Sequence, residues 1–162
     1  MRARAALSIL IALLTTTGCT TTADGPGDDD DSSADSPFQT HAVVTTTDFS
    51  VGALVTVDLD THEVQEVTAI SSDPVVRVDA GLVFQINRWM FDSVRVYEPP
   101  NLQQPMIEFS TEAGSNPHDA VLCDGAVFVS RYDTDSLGIY DLNTGIAVGE
   151  IDLSPWADED GS

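Results

Sequence analysis

Few residues in this chain could do chemistry. The sharpest polar pair is His118-Asp119. A zinc centre would need several such ligands converging at about 2.0–2.1 Å per Zn–N bond. The matching place in the preceding repeat, near Asp73-Pro74-Val75, has no histidine. Adjacent strand residues also point to opposite faces. His118 is therefore expected to close the loop from Asn116 by hydrogen bonding, with a secondary role in ligand contact. His41 and His62 stand outside any nucleophile or metal motif, and His62 falls at a hairpin turn. The chain has no Ser-His-Asp spacing, phosphate loop or HExxH, so no catalytic residue is assigned.

Two acidic loops invite a cation instead, Asp133-Thr134-Asp135 and Asp158-Glu159-Asp160-Gly161. Calcium takes several carboxylate oxygens, which makes Asp158 and Asp160 weak calcium candidates. The register of a calcium loop and its downstream Glu are missing, and a solvated loop is the competing reading. Arg88-Trp89-Met90-Phe91 is the one apolar cluster that reads as exposed. Aromatics and Arg are enriched in binding patches, so Arg88, Trp89 and Phe91, with His118, are the candidate ligand contacts.

These groups need a scaffold, and the sequence repeats one. Val44-Thr45-Thr46-Thr47, Phe84-Gln85-Ile86-Asn87 and Phe128-Val129-Ser130-Arg131 each precede a second alternating run, ending near Val57, Tyr97 and Tyr140. Those three positions are separated by 40 and 43 residues. Short alternating strands repeated at about 40–50 residues are the signature of propeller blades. The candidate strands are His41–Thr47, Ala53–Leu59, Glu63–Ile70, Val75–Asp79, Leu82–Asn87, Ser93–Glu98, Pro105–Phe109, Asp119–Leu122, Ala126–Arg131, Ser136–Leu142 and Ala147–Leu153. Most are rich in Val, Ile, Thr and aromatics. Asp124-Gly125 suits a two-residue hairpin turn. No long window after the N-terminus has a helical period, so essentially no helix is expected.

The fold class predicted is all-β: a partial β-propeller of about three four-stranded antiparallel blades, at about 41–70, 74–110 and 118–153, within a domain of 38–162. The first blade lacks one strand. Closed propellers typically have 4–8 blades, so the expectation is a fragment of a longer chain or, less favoured, a subunit that closes by association.

Residues 1–18 read as a secretory signal, with Arg2 and Arg4 before the apolar Ala5–Leu14. Ten apolar residues are too few for a stable spanning helix. Residues 19–37 read as a disordered acidic tether containing Asp28–Asp31. The net charge is −21 and the chain has no Lys. Such a polyanion repels phosphate backbones, which excludes nucleic acid as a partner. Cys123, in Ala120–Cys123, is expected to behave as a small buried hydrophobe.

Two resemblances add to this reading. Leu14-Thr15-Thr16-Thr17-Gly18-Cys19 resembles a bacterial lipobox, departing at Thr16, where that family has an apolar residue. It implies a lipidated Cys19 that attaches the chain to a membrane by several acyl chains, more firmly than a single chain would. Thr20 stands where an Asp would favour inner-membrane retention, so the analogy favours the outer membrane. Phe128-Val129-Ser130-Arg131 with Ile139-Tyr140-Asp141-Leu142-Asn143-Thr144-Gly145 resembles the YVTN-type β-propeller repeat, and Asn116-Pro117-His118-Asp119 is similar to the start of many NHL blades. The middle copy departs, with Glu98-Pro99-Pro100-Asn101 in place of Asp-x-x-Thr-Gly.

The resemblance implies a non-catalytic binding or scaffolding module of the bacterial cell envelope, with a protein or glycan ligand and no cofactor. Two alternatives stand beside it. One is the N-terminal part of a metal- or quinone-dependent propeller lyase or dehydrogenase; the other is a structural surface-layer component.

Overall fold

The structure, a computed structural model, describes residues 41–156, without the side chains of 66, 67 and 69. The signal, the tether, Cys19, Asp158 and Asp160 lie outside the described residues. The eleven described strands form three antiparallel sheets. Sheet one has the order β1 (His41–Thr47), β2 (Gly52–Asp58), β3 (Val64–Ile70). Sheet two has the order β4 (Pro74–Asp79), β5 (Leu82–Asn87), β6 (Ser93–Tyr97), β7 (Ile107–Ser110). Sheet three has the order β8 (Pro117–Cys123), β9 (Ala126–Arg131), β10 (Ser136–Asp141), β11 (Ala147–Asp152). The described residues thus form a partial propeller of three blades, the first with three described strands and the others with four.

The repeat holds at single-residue register. Ala42 pairs Val57, Val83 pairs Tyr97, and Val127 pairs Tyr140. The three marker residues occupy the same place in their blades. Boundaries differ from the sequence expectation where proline intervenes. Pro105 has no N–H for the ladder, so β7 starts at Ile107. Pro117 is accepted as the first residue of β8, with a bulge between Pro117 and Asp119. One 3-10 turn, Ser154–Trp156, follows β11.

The hairpin turns follow from local chemistry. Asp124 and Gly125 have φ of 50° and 78°, and Ala80 and Gly81 have 48° and 78°. Positive φ at both central residues suits the right-handed twist of the flanking strands. The Asp141 carboxylate accepts from the backbone N–H of Asn143 and Thr144 and from the Thr144 hydroxyl, at 3.1, 2.8 and 2.7 Å. Asp58 accepts from the N–H groups of Asp60 and Thr61 at 2.9 and 2.7 Å. These bonds hold both carboxyls below the ordinary carboxylate range, led by Thr61 at Asp58 and by Thr144 at Asp141.

Blade two is packed on both sides. Phe84, Ile86, Val94, Val96 and Phe109 meet Ala120, Val127, Val129 and Tyr140 of blade three in one buried cluster. Phe109 and Tyr140 stack at 4.7 Å. On the other side Val83, Tyr97 and Leu102 meet Leu54 and Ile70 of blade one. Strand β5 alternates between the two clusters, which is why it is buried almost throughout. Its blade-one side carries Gln85 and Asn87, 0 % and 3 % exposed. Tyr97 Oη donates to Gln85 Oε1 at 2.7 Å, and Gln85 Nε2 and Ser71 Oγ donate to Asn87 Oδ1 at 2.7 and 2.9 Å. Asn87 Nδ2 donates to Ser93 Oγ at 3.0 Å, which satisfies the amide.

Cys123 departs from the sequence expectation. It is half-buried at the end of β8 and held in a disulfide. At the far side of blade three, β11 is exposed along its whole length.

Candidate functional site

Antiparallel strands send alternate connections to opposite ends of each blade. The β4–β5, β8–β9, β2–β3, β6–β7 and β10–β11 connections lie at one end. The other end carries residues 48–51, 71–73, 88–92, 111–116, 132–135 and 153–156. Contacts between blades keep these ends aligned: Thr47 Oγ1 donates to the Ser72 carbonyl, and Trp89 N–H donates to Asn116 Oδ1 at 3.5 Å. Among the described residues every exposed Phe, Trp or Tyr lies at this second end. They are Phe49, Trp89, Phe91, Tyr132 and Trp156. Met90, 83 % exposed, joins them. The large hydrophobic side chains exposed at the opposite end are non-aromatic, such as Leu59, Met106 and Ile146.

Asp92 builds the centre of the aromatic end. It is 5 % exposed. Its two carboxylate oxygens accept from the backbone N–H of Gly114 and Asn116 at 2.8 and 2.9 Å, and its own carbonyl accepts from the Thr111 N–H at 2.8 Å. One side chain therefore ties the β5–β6 loop to the β7–β8 loop. The third loop is joined by backbone: Tyr132 N–H donates to the Asn116 carbonyl at 3.0 Å, and Asp133 N–H to the Ser115 carbonyl at 3.2 Å. Thr111 and Ser115 hydroxyls, both buried, bond at 2.8 Å beneath.

Held this way, Trp89, Met90, Asp92, Ala113, Gly114, Asn116 and Asp133 line a cavity of about 340 Å³. That size lies in the range of small-ligand clefts. Trp89, Met90, Asp92, Glu112 and Asn116 have φ between 25° and 81°. Bulky residues rarely adopt this left-handed region, at a cost of about 1 kcal/mol or more each. Asp92, Asn116 and Trp89 are tied to one another by the bonds between their loops.

The structure separates the four sequence candidates. Trp89 lines the cavity. Phe91 lines a smaller one, about 140 Å³, with Ile70, Ser71, Asn87, Ser93, Arg95 and Glu108. Arg88 borders neither cavity and is committed to an ion pair with Asp73 at 2.5 Å. His118 sits in the β8 bulge and stacks on Tyr132, ring centroids 5.1 Å apart. Its packing role is this ring contact, in place of the hydrogen-bonded loop closure expected from the sequence. His41 lies 3.6 Å from Asp58 at the opposite end. Among the described residues no three His, Cys, Asp or Glu side chains converge as a metal site.

Sequence reasoning missed Asp92, Asn116 and Tyr132. The Asn116-Pro117 motif marked the start of a blade, yet nothing in it revealed a carboxylate 24 residues upstream.

No family model and no curated protein sequence matches the chain. Solved structures do. A β-propeller in the structure of a nidogen/laminin complex superposes with a TM-score of 0.57 at 13 % identity, over 74 % of this chain and 45 % of that one. BamB from Moraxella catarrhalis gives 0.46 at 12 % identity, over 67 % and 34 %. Hsv2 from Kluyveromyces lactis gives 0.42 at 12 % identity, over 69 % and 37 %. The chain thus spans less than half the length of each. At such identities the first likeness speaks for fold alone.

Proposed function

We propose that this chain is a non-catalytic binding or scaffolding module of a bacterial cell envelope, and that it engages a macromolecular ligand through the end of its blades that carries the aromatic loops. The observation behind this reading is the gathering of Phe49, Trp89, Met90, Phe91, Tyr132 and Trp156 at that end. Exposed aromatic side chains over a rigid sheet scaffold offer large contact area at small entropic cost. The YVTN-type and NHL-like patterns and the propeller fold of the structural neighbour support the same reading by analogy.

Envelope placement rests on the signal-like residues 1–18 and the lipobox-like sequence up to Cys19. In this reading residues 19–37 are the tether and 38–162 the propeller domain, with Cys19 acylated and the outer membrane favoured. Cys19 is the second cysteine of the sequence. One sulfur cannot be both a thioether and half of a disulfide, so acylation and a bond to Cys123 are alternative fates. Intact mass spectrometry of the mature protein separates them. Added acyl mass at Cys19 supports the anchor; an unlipidated chain oxidised by two hydrogens overturns it.

The binding reading is tested by photo-crosslinking in intact envelopes from position 89 and, at the opposite end, from position 59. A discrete adduct from 89 and none from 59 is expected. Equal yields from both, or none from either, would defeat the assignment.

A further inference from the structure

We propose that the cavity between Trp89, Asn116 and Asp133 receives a cationic side chain, Lys or Arg, from a basic segment of a partner protein. This rests on the reading of the aromatic end as the binding surface and names the chemistry of what binds there.

The charged side chains lining the cavity are of one sign. Asp92 and Asp133 line it, and Asp135 is exposed on the same loop as Asp133. Asp92 is a buried carboxylate whose hydrogen-bond donors are neutral backbone N–H groups, so its charge has no cation against it among the described residues. The nearby arginines are already committed. Arg88 is paired with Asp73. The Arg131 side chain, 3 % exposed, lies 3.4 Å from Glu112 and 3.0 Å from Glu150 and also donates to the Ser136 hydroxyl. No lysine exists in the chain to fill the place.

The hydrogen-bond inventory points the same way. The polar side chains lining the cavity are two carboxylates, which only accept, and Asn116, whose Oδ1 already accepts from the Trp89 N–H and whose amide nitrogen is a donor. Ammonium and guanidinium groups only donate, which makes them complementary. The exposed Trp89 indole adds a face for cation–π contact, and Met90 offers an adaptable wall for an aliphatic stem. Outside the cavity, the net charge of −21 would steer a basic partner toward the molecule.

The test is a titration of the isotope-labelled full chain with the peptide acetyl-Arg-Gly-Arg-amide at about physiological salt, which screens diffuse attraction beyond ~8 Å. Saturable NMR shifts are expected at the Trp89 indole N–H, the Gly114 amide and the Asn116 side-chain amide, with the Thr61 amide at the opposite end serving as an unaffected internal control. Trp89→Ala and Asp133→Asn should each weaken binding about tenfold. Asp60→Asn, an equal charge change at the opposite end, should not. Shifts spread equally over Thr61 and the 28–31 acidic run, or equal weakening by Asp60→Asn, would show diffuse attraction and overturn the proposal. A response to N-acetylglucosamine without one to the peptide would overturn it in favour of a glycan. In either case a position-89 crosslink in envelopes would leave the binding surface itself standing.

Discussion

The two interfaces of the middle blade are built differently. Between blades two and three the contact is apolar, with Phe84, Ile86, Val127, Val129 and the Phe109–Tyr140 stack. Between blades one and two a smaller apolar cluster of Leu54, Ile70, Val83, Tyr97 and Leu102 shares the contact with a polar network, in which Gln85 and Asn87 of β5 bond to Tyr97 of β6 and to Ser71 of the β3–β4 connection. An apolar interface gains free energy with area and accepts many partners of similar volume. A satisfied polar interface adds less net stability, yet penalises any partner that leaves a group unpaired. One strand thus carries adhesion alone on one face, and on the other Val83 adds adhesion beside the discriminating amides of Gln85 and Asn87.

The largest effect should come from breaking the apolar side. Phe84→Ala removes a ring that is 0 % exposed. A loss of about 3–5 kcal/mol is expected, read as a lower urea midpoint. On the polar side, Asn87→Ala deprives Ser71, Gln85 and Ser93 of their partner. Its cost is expected at about 1–3 kcal/mol, and Tyr97→Phe, which removes a single donor, at about 1 kcal/mol. In a double-mutant cycle those two changes should couple, because they act on one network through Gln85; strict additivity would mean the polar side is not a network. Gly138→Ala sharpens the contrast. A Cβ there would stand 2.7 Å from the Tyr140 ring. Overpacking of about 1–3 kcal/mol should appear as lower thermal stability.

The smallest effect concerns acid and should spare both interfaces. Asp48 is held down to about 2, chiefly by the Ser50 hydroxyl and then by the N–H groups of Val51 and Ser50. Asp58, Asp141 and Asp152 are lowered by similar turn bonds. A lowered folded value means the stabilisation is complete above the ordinary carboxylate range and is lost as pH falls through the folded value. The melting temperature should therefore hold through neutral pH and decline gently between about pH 4 and 2. Replacing Asp48 and Asp141 with Asn should flatten that decline, while a decline that persists unchanged would assign it elsewhere.

What was legible in the sequence was local. Asp124-Gly125 and the run from Asp141 to Gly145 fix their turns with bonds spanning two or three residues, so pattern alone located them. Val57, Tyr97 and Tyr140 marked a period that the ladders reproduce. Gln85 and Asn87 read as ordinary alternation, and nothing nearby showed that a second sheet would cover them. Asp92 was silent for the same reason, since its partners Gly114 and Asn116 arrive from another loop. Trp89 was visible because a large apolar side chain in a loop is informative by itself. Its cavity was not, because that depends on three connections meeting.

The hydrogen-bonded face of β5 also bears on how tandem copies avoid confusion. Modules with a shared pattern can trade neighbours during folding or after genetic shuffling. A permuted chain that set the third sheet where the first belongs would leave the Asn87 amide oxygen with the Gln85 donor alone, without the Ser71 hydroxyl that now also donates to it. Such a shuffled product would be penalised from within, so the order of the modules is written into the molecule.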